Sequence, residues 1–200
     1  MGRWWVWGGR FERTVAESAV GSLAMETTKK REPEAWVSES INEIGVGSVV
    51  VARFKGSGDV EAGVFLLDLK CLGVKNAFLA RTSVADYEGR LLGRIREQGR
   101  LEAISPGAAR KLVEDAVAYG RTLGLEPYVD YRLAQRVFGG IAPESGKMSF
   151  TFGDQGKPLY VQGPNDSPEF ARRVVAHLRR RCGADGFHFV VGVGETGVDG

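Results

Sequence analysis

The stretch SVVVARFK-GSGD-VEAGVFLLDLKCLGV, residues 48–74, decides the fold that we predict for this chain. Its first part is short and rich in β-branched residues, and its last part is a long apolar run, as is typical of neighbouring strands. The Gly-Ser-Gly-Asp tetrapeptide at 56–59 supplies the residues that turns favour. We therefore predict an antiparallel β-hairpin that extends from Gly47 to Leu72.

Helices are predicted where capping residues precede apolar residues at helical spacing. A serine supplies the N-cap in three of these places, and in two of them a proline follows at the first helical position. The four predicted helices run from Ser83 to Gln98, from Ser105-Pro106 to Gly124, from Tyr131 to Phe138, and from Ser167-Pro168 to Gly183.

The remaining extended segments lie towards the C-terminus. MSFTFGDQGKPLYVQGP, 148–164, predicts a second hairpin that turns at 154–156, and GFHFVVGV, 186–193, predicts a final strand. Hairpin, helices, hairpin, helix and strand is not a regular βαβ alternation. The sequence therefore predicts an α+β fold: a single domain with two antiparallel β-hairpins, a final strand and three to four helices packed on the sheet.

The first 35 residues differ from the rest of the chain. Three tryptophans stand among glycines and arginines, and a charged segment with a proline follows Met25. We expect either a disordered extension or a start of translation at Met25; the alternative is an amphipathic helix over Arg13–Met25. The predicted regions are an N-terminal extension over 1–35, one α+β domain over 36–193 and a flexible tail over 194–200.

Composition and charge argue against several classes of protein. The formal net charge is +2, with 27 basic and 25 acidic residues, which disfavours a nucleic-acid-coating protein but is compatible with a local basic patch. No apolar run approaches the roughly 18 residues of a membrane-spanning helix. The apolar run near residues 4–7 is shorter than the about 7–15 residues of a secretory signal. We therefore expect a cytoplasmic protein with reduced thiols and no membrane partner.

Asp68 is a carboxylate within an otherwise apolar strand, on the face that also carries Leu66 and Lys70. Burying it without a partner would be costly, so we expect a cation or a hydrogen-bond donor nearby. A carboxylate in such a place could act as a general base or a metal ligand. The alternative is an ordinary solvated or salt-bridged side chain beside Lys70.

Cysteine and histidine chemistry is restricted to Cys71, His177, Cys182 and His188. These residues lack the close cysteine pairs that are typical of structural zinc, so no metal site is predicted. Cys71 and His188 would meet if their strands were neighbours, and they could then act as nucleophile and base. The alternative for Cys71 is a small core residue, since cysteine on an apolar strand is usually buried.

The last predicted helix has two contrasting faces. Its apolar stripe contains Phe170, Ala171, Val174, Val175, Leu178 and Cys182. Opposite lie Arg172, Arg173, Arg179 and Arg180, which we call the arginine face, with Arg181 beside them. This face could contact phosphates of nucleic acid or an acidic protein partner. The alternative is a solvated surface whose cations complement the helix macrodipole.

A glycine pattern after the final predicted strand resembles a dinucleotide-binding motif. Gly192, Gly194 and Gly197 have the spacing G-x-G-x-x-G. That motif binds a pyrophosphate by opening a helix at whose N-terminus the phosphates lie. Only three residues follow Gly197, so we predict no such helix here and no cofactor.

Four blocks of sequence resemble a family of uncharacterised bacterial proteins, in which they occur in the same order. The blocks are GVFLLDLKCLGVKNAF, ARKLVEDAVAYG, FGDQGKPLYVQGP and GFHFVVG. The resemblance covers about residues 36–192, and it implies a bacterial origin and one domain with the N-terminal extension outside it. It implies no activity, cofactor, partner or functional residue.

The leading hypothesis from the sequence is a non-catalytic binding protein that uses the arginine face and polar loops such as 162–166. One alternative is a small hydrolase in which Cys71 and His188 react and Asp68 or Asp130 supports them. Another is a metal-dependent nuclease built on Asp68, which needs a second acid within about 4–6 Å.

Overall fold

A computed structural model describes residues 31–56, 58–145 and 150–192 of the chain. The predictions for residues 1–30, for the tail over 194–200 and for the glycine pattern beyond Gly192 lie outside these ranges. The strands of the main sheet are β1 Glu34–Ser38, β2 Val46–Phe54, β3 Asp59–Asp68, β4 Gly73–Ser83 and β5 Leu101–Ile104. They form a five-stranded antiparallel sheet in the order β4-β3-β2-β1-β5. The α+β fold class is confirmed.

The first predicted hairpin is present as β2 and β3, which pair from Val46 opposite Asp68 to Phe54 opposite Val60. Its second strand was predicted too long, because the chain turns after Asp68 and returns as β4. Gly73 closes this turn at φ +68°, a conformation that glycine adopts without strain. A Cβ at Gly73 would lie 2.5 Å from the carbonyl oxygen of Ala116. The apolar run is therefore one strand and the start of the next.

The four predicted helices are all found, two of them as composites. The helical elements are α1 Ser40–Ile44, α2 Val84–Asp86, a π-helical turn Tyr87–Leu91, α3 Leu92–Arg96, α4 Pro106–Thr122, α5 Tyr131–Ala134, a 3-10 turn Gln135–Phe138 and α6 Pro168–Cys182. Ser83, Ser105 and Ser167 each accept a hydrogen bond from the backbone N–H three residues further on. No helix among the described residues has the length and apolarity needed to cross a membrane.

Both faces of the main sheet are buried. Val49, Phe65 and Leu67 pack with α4 and α5 on one face. Val50 and Val64 pack on the other face with the composite helix of residues 84–96. Because successive side chains point to opposite faces and both are covered, β2 and β3 have continuous apolar runs instead of an alternation with polar residues.

The C-terminal elements form a third core beside the β3–β4 turn. Two short strands, β6 Leu159–Val161 and β7 His188–Val190, pair in parallel. The second predicted hairpin is therefore wrong as a pair of strands, although its turn is present as a bridge between Asp154 and Lys157; residues 146–149 lie outside the description. The reason is that Tyr160 packs with α6 and Phe187 in this core, so β6 pairs with β7, the strand that follows α6 in the chain.

Candidate functional site

Asp68 lies at the end of β3 and its side chain holds the β3–β4 turn. The residue is 4% exposed, and its Oδ1 accepts hydrogen bonds from the backbone N–H groups of Lys70 and Cys71, both at 3.0 Å. The donors that a buried carboxylate requires therefore belong to the backbone of the turn itself. This is the geometry of an aspartate that caps a turn, in which the side chain replaces a backbone acceptor.

Burial raises the pKa of Asp68, because a poorly solvated site disfavours the charged carboxylate. The backbone N–H groups of Cys71, Leu72 and Lys70 and the charge of Lys75 oppose this shift. A general base or a metal ligand also needs access. Asp68 lines neither of two surface depressions, one beside α6 and one around the segment between α4 and α5.

Metal chemistry at Asp68 would need further ligands. Among residues 31–56, 58–145 and 150–192, no three histidine, cysteine, aspartate or glutamate side chains come together as a metal site would require. The group whose charge acts on Asp68 is the cation of Lys75 and not a second acid. The geometry therefore gives no support to a nuclease built on this residue.

Cys71 and His188 occupy different environments. Cys71 lies in the β3–β4 turn and is fully buried in the third core. Burial and the neighbouring charge of Asp68 raise the pKa of its thiol, which disfavours the thiolate that a nucleophile needs. His188 is exposed at the start of β7, and Asp130 is exposed at the start of α5. The geometry matches the core-residue alternative for Cys71.

A partly buried ion pair that the sequence analysis missed joins the third core to the main sheet. Lys75 of β4 donates to Asp166 Oδ2 at 2.7 Å, and the two side chains are 19% and 7% exposed. The same oxygen accepts from the Tyr160 hydroxyl at 3.1 Å and from the backbone N–H of Gly163 at 2.9 Å. The signal in the sequence is the run Gly-Pro-Asn-Asp directly before a Ser-Pro helix start.

The arginine face is exposed along α6, as its helical spacing predicted. Arg172 pairs with Glu169 at 3.0 Å, and Arg173 lies 6.0 Å from the ring centroid of Phe170. No ion pair joins Arg179 or Arg180 to an acid within the part of the chain that the structure describes. Arg181, beside the face, donates to the carbonyl oxygen of Thr122 at 3.2 Å and so ties α6 to the end of α4.

A surface depression of about 370 Å³ lies beside the arginine face; we call it the α6 depression. It is lined by Leu125, Arg173, Val174, Ala176, His177 and Arg180. The ring of His177 lies with Nε2 2.8 Å from the carbonyl oxygen of Leu123. Because a carbonyl oxygen can only accept, Nε2 carries the proton in this bond. The bond holds the segment with Leu123 and Leu125 against α6.

A second depression of about 400 Å³ lies around the segment between α4 and α5. It is lined by Arg121, Glu126, Pro127, Tyr128, Val129, Tyr131, Arg132 and Gln135. Tyr128 is 41% exposed there, and Arg121 faces Glu126 at 3.6 Å. Arg121 is thus paired on this side, whereas Arg173 and Arg180 form no ion pair with an acid in the part of the chain that the structure describes.

No protein-family model, no curated protein and no solved structure matches the chain.

Proposed function

We propose that the protein is a non-catalytic binding protein that holds an anionic partner on the arginine face. The proposal is carried by the excess positive charge of that face, which Glu169 neutralises only in part through its ion pair with Arg172. Arg173, Arg179 and Arg180 are exposed and form no ion pair with any described acid. Guanidinium groups form bidentate hydrogen bonds with carboxylates and phosphates, so such a face is suited to binding an anion.

The helix α4 of the same protein pairs two of its cations with acids on the same helix. On α4, Arg110 pairs with Glu114 at 2.7 Å, and Lys111 pairs with Asp115 at 2.8 Å. These are the i, i+4 pairs that usually accompany charges on a solvated helix. Among the described residues, Arg172 is the one arginine of α6 with an acidic partner, Glu169, three positions before it. A surface whose role was solubility alone would favour the arrangement of α4.

The helix macrodipole accounts for only part of the arginine face. Cations in the last turn of a helix are stabilised by the partial negative charge there, and Arg179 and Arg180 meet this condition. Arg173 lies in the N-terminal half of α6, where the macrodipole gives no such benefit because its effect is confined to the end turns. A partner anion explains the whole set.

The geometry gives the catalytic alternatives no specific support. Asp68 and Cys71 are buried and serve the turn and the third core, and no described depression gives a substrate access to either. Neither the hydrolase nor the nuclease alternative is favoured by a specific contact.

The test is charge reversal on the full-length chain. We would replace Arg172, Arg173, Arg179 and Arg180 by glutamate and measure fluorescence anisotropy with a fluorescein-labelled acidic peptide and a labelled single-stranded oligonucleotide. A matched control replaces Arg81, Arg90, Arg94 and Arg100, which are also exposed and change the net charge by the same amount.

We expect the α6 variant to lose binding of at least one probe by about tenfold or more, since charge-assisted contacts are removed and reversed. The control should stay within about threefold, because distant exposed charges are screened by salt. Equal losses in both variants would show that only the net charge matters, and the proposal would be wrong. Circular dichroism of each variant checks that the fold is intact.

A further inference from the structure

The α6 depression is lined by both apolar and cationic side chains. Leu125, Val174 and Ala176 form the apolar part, and Arg173 and Arg180 supply the cations. The depression has a volume of about 370 Å³ and is largely open to solvent, unlike the enclosed pockets that bury most of a small ligand. An occupant must therefore present an apolar group between negative charges.

Helical geometry sets the distance between those charges. Arg173 and Arg180 are seven positions apart, which corresponds to about 10 Å along a helix axis at about 1.5 Å per residue. In an extended peptide, side chains at i, i+2 and i+4 face the same way and span about 13 Å. Long arginine side chains bridge this difference, so acids at i and i+4 can pair with Arg173 and Arg180.

We propose that the α6 depression binds an acidic peptide segment of a protein partner, with an apolar side chain against its apolar part and one carboxylate at each of Arg173 and Arg180. This inference rests on the proposed function and deepens it by naming the chemistry of the partner. The occupant has the pattern acid-x-apolar-x-acid in extended conformation. Arginine clusters that read acidic motifs are a recurring mode of peptide recognition.

The wall of the depression is held in place before any partner arrives. His177 donates to the carbonyl oxygen of Leu123, and Gly124 turns the chain at φ +74° directly over the ring. A Cβ at Gly124 would lie 3.2 Å from His177 Nε2, so glycine permits this close approach. A site that needs no rearrangement loses less conformational entropy when the partner binds.

Nucleic acid fits the α6 depression less well than a peptide does. Proteins that bind single strands use exposed aromatic rings on which bases stack, and no aromatic ring of Phe, Tyr or Trp type lines this depression. The exposed Tyr128 lines the neighbouring one. The formal net charge of only +2 also gives little long-range attraction for a polyanion. Binding of an oligonucleotide is therefore an outcome that the test must detect.

The experiment compares two fluorescein-labelled peptides on the full chain. One has the core Glu-Ser-Leu-Ser-Glu and the other has the core Glu-Ser-Ser-Ser-Glu, so they differ only in the apolar side chain. The blocking variant is Ala176→Glu, an exposed position in the depression. Its matched control is Ala184→Glu, which makes the same change at an exposed position outside the depression. The charge variant is Arg173→Glu with Arg180→Glu.

We expect the leucine peptide to bind about tenfold tighter than the serine peptide, as burial of one leucine side chain predicts. Ala176→Glu should weaken the leucine peptide by about tenfold through steric block and repulsion. Ala184→Glu should change it by less than about twofold, because an exposed charge outside the depression is screened. The double arginine variant should lose both peptides.

The outcomes separate this inference from the proposed function. If the arginine variant loses both peptides, but the two peptides bind equally and Ala176→Glu has no effect, the depression is not the site and the arginine face still binds anions. A single-stranded oligonucleotide that binds tighter than the leucine peptide, with the same sensitivity to Ala176→Glu, would replace the protein partner by nucleic acid. Absence of measurable binding by either peptide overturns the inference.

Discussion

Replacing Asp68 by alanine tests whether this carboxylate is a structural cap. In the folded protein its Oδ1 accepts from the backbone N–H groups of Lys70 and Cys71 at 3.0 Å. Alanine removes both acceptor contacts in a turn that excludes water at Cys71, which is fully buried. The free energy of unfolding of the variant should therefore be lower than that of the parent.

The magnitude follows from the environment of the two donors. An N–H left without an acceptor in a buried site costs about 1–3 kcal/mol, and a partly buried one costs less because water can reach it. The bond from Cys71 is buried and the bond from Lys70 is partly buried. We expect Asp68→Ala to lower the free energy of unfolding by about 2–4 kcal/mol, which combines the two contributions.

Asp68→Asn separates the hydrogen bonds from the charge. The amide keeps an oxygen that can accept from Lys70 and Cys71, and it carries no charge to desolvate. We expect a loss of about 1 kcal/mol or less, since its N–H₂ group needs a partner in the same place. Asp185→Ala, at an exposed aspartate, is the matched control and should stay within about 0.5 kcal/mol of the parent.

The pKa of Asp68 adds a dependence on pH with a definite sign. Burial raises this pKa in the folded protein above 3.8, the ordinary value of the group. At pH values between the unfolded and the folded pKa, the folded state therefore binds the proton more tightly than the unfolded state. The contribution of Asp68 to stability is complete below the unfolded pKa and falls as pH rises through the folded pKa. Asp68→Asn lacks this titration, so its stability relative to the parent should improve as pH rises.

The assay is urea unfolding of the full chain followed by circular dichroism at several pH values. Equal slopes against urea for parent and variants would show that the unfolding reaction is the same. If Asp68→Ala costs less than about 1 kcal/mol, the capping argument is refuted, because unsatisfied buried donors cost more than that. A parent that gains stability over Asp68→Asn as pH rises would refute the sign of the pKa shift.

Two further predictions concern the third core. Iodoacetamide should modify the partly buried Cys182 in the folded protein and reach the fully buried Cys71 only after unfolding. Mass spectrometry of single cysteine-to-serine variants measures the two labelling rates. Earlier labelling of Cys71 than of Cys182 would restore the hydrolase hypothesis. Removing one partner of the Lys75–Asp166 pair, in Lys75→Ala, should lower the free energy of unfolding by about 2–3 kcal/mol, because the buried carboxylate loses its cation. A double-mutant cycle with Asp166→Ala should give a coupling of about 1 kcal/mol or more, and independent effects of the two changes would contradict the pairing.

Local signals in the sequence were sufficient for the four predicted helices and for the pairing of β2 with β3, but not for α1, Ser40–Ile44. Ser105-Pro106 and Ser167-Pro168 are complete start signals within a few residues, and both open helices in the structure. Strands lack such signals. The strands β1, β4 and β5 were not predicted, because these segments become strands through pairing: β1 with β2 and β5, and β4 with β3. No local pattern encodes this pairing.

Pairing between distant segments also explains the incorrect second hairpin. The turn predicted at 154–156 is present inside the bridge between Asp154 and Lys157, but the partner of β6 is β7, about one helix further along the chain. The same limit applies to the candidate site. The arginine face could be predicted from helical spacing, whereas the α6 depression requires Leu125, which comes from the segment after α4.

The two regions that the sequence singled out are structurally connected. The turn that Asp68 caps also supports the elements that carry α6: the carbonyl oxygen of Lys70 accepts from the backbone N–H of Leu159 at 3.0 Å and from the Tyr119 hydroxyl at 3.2 Å. Cys71 packs in the same core as Leu178 of α6. A disrupted turn would therefore misplace the arginine face without any direct contact between Asp68 and a partner. Loss of binding in Asp68→Ala, with binding retained in Asp68→Asn, would identify the acceptor oxygen of residue 68 as a support of that surface.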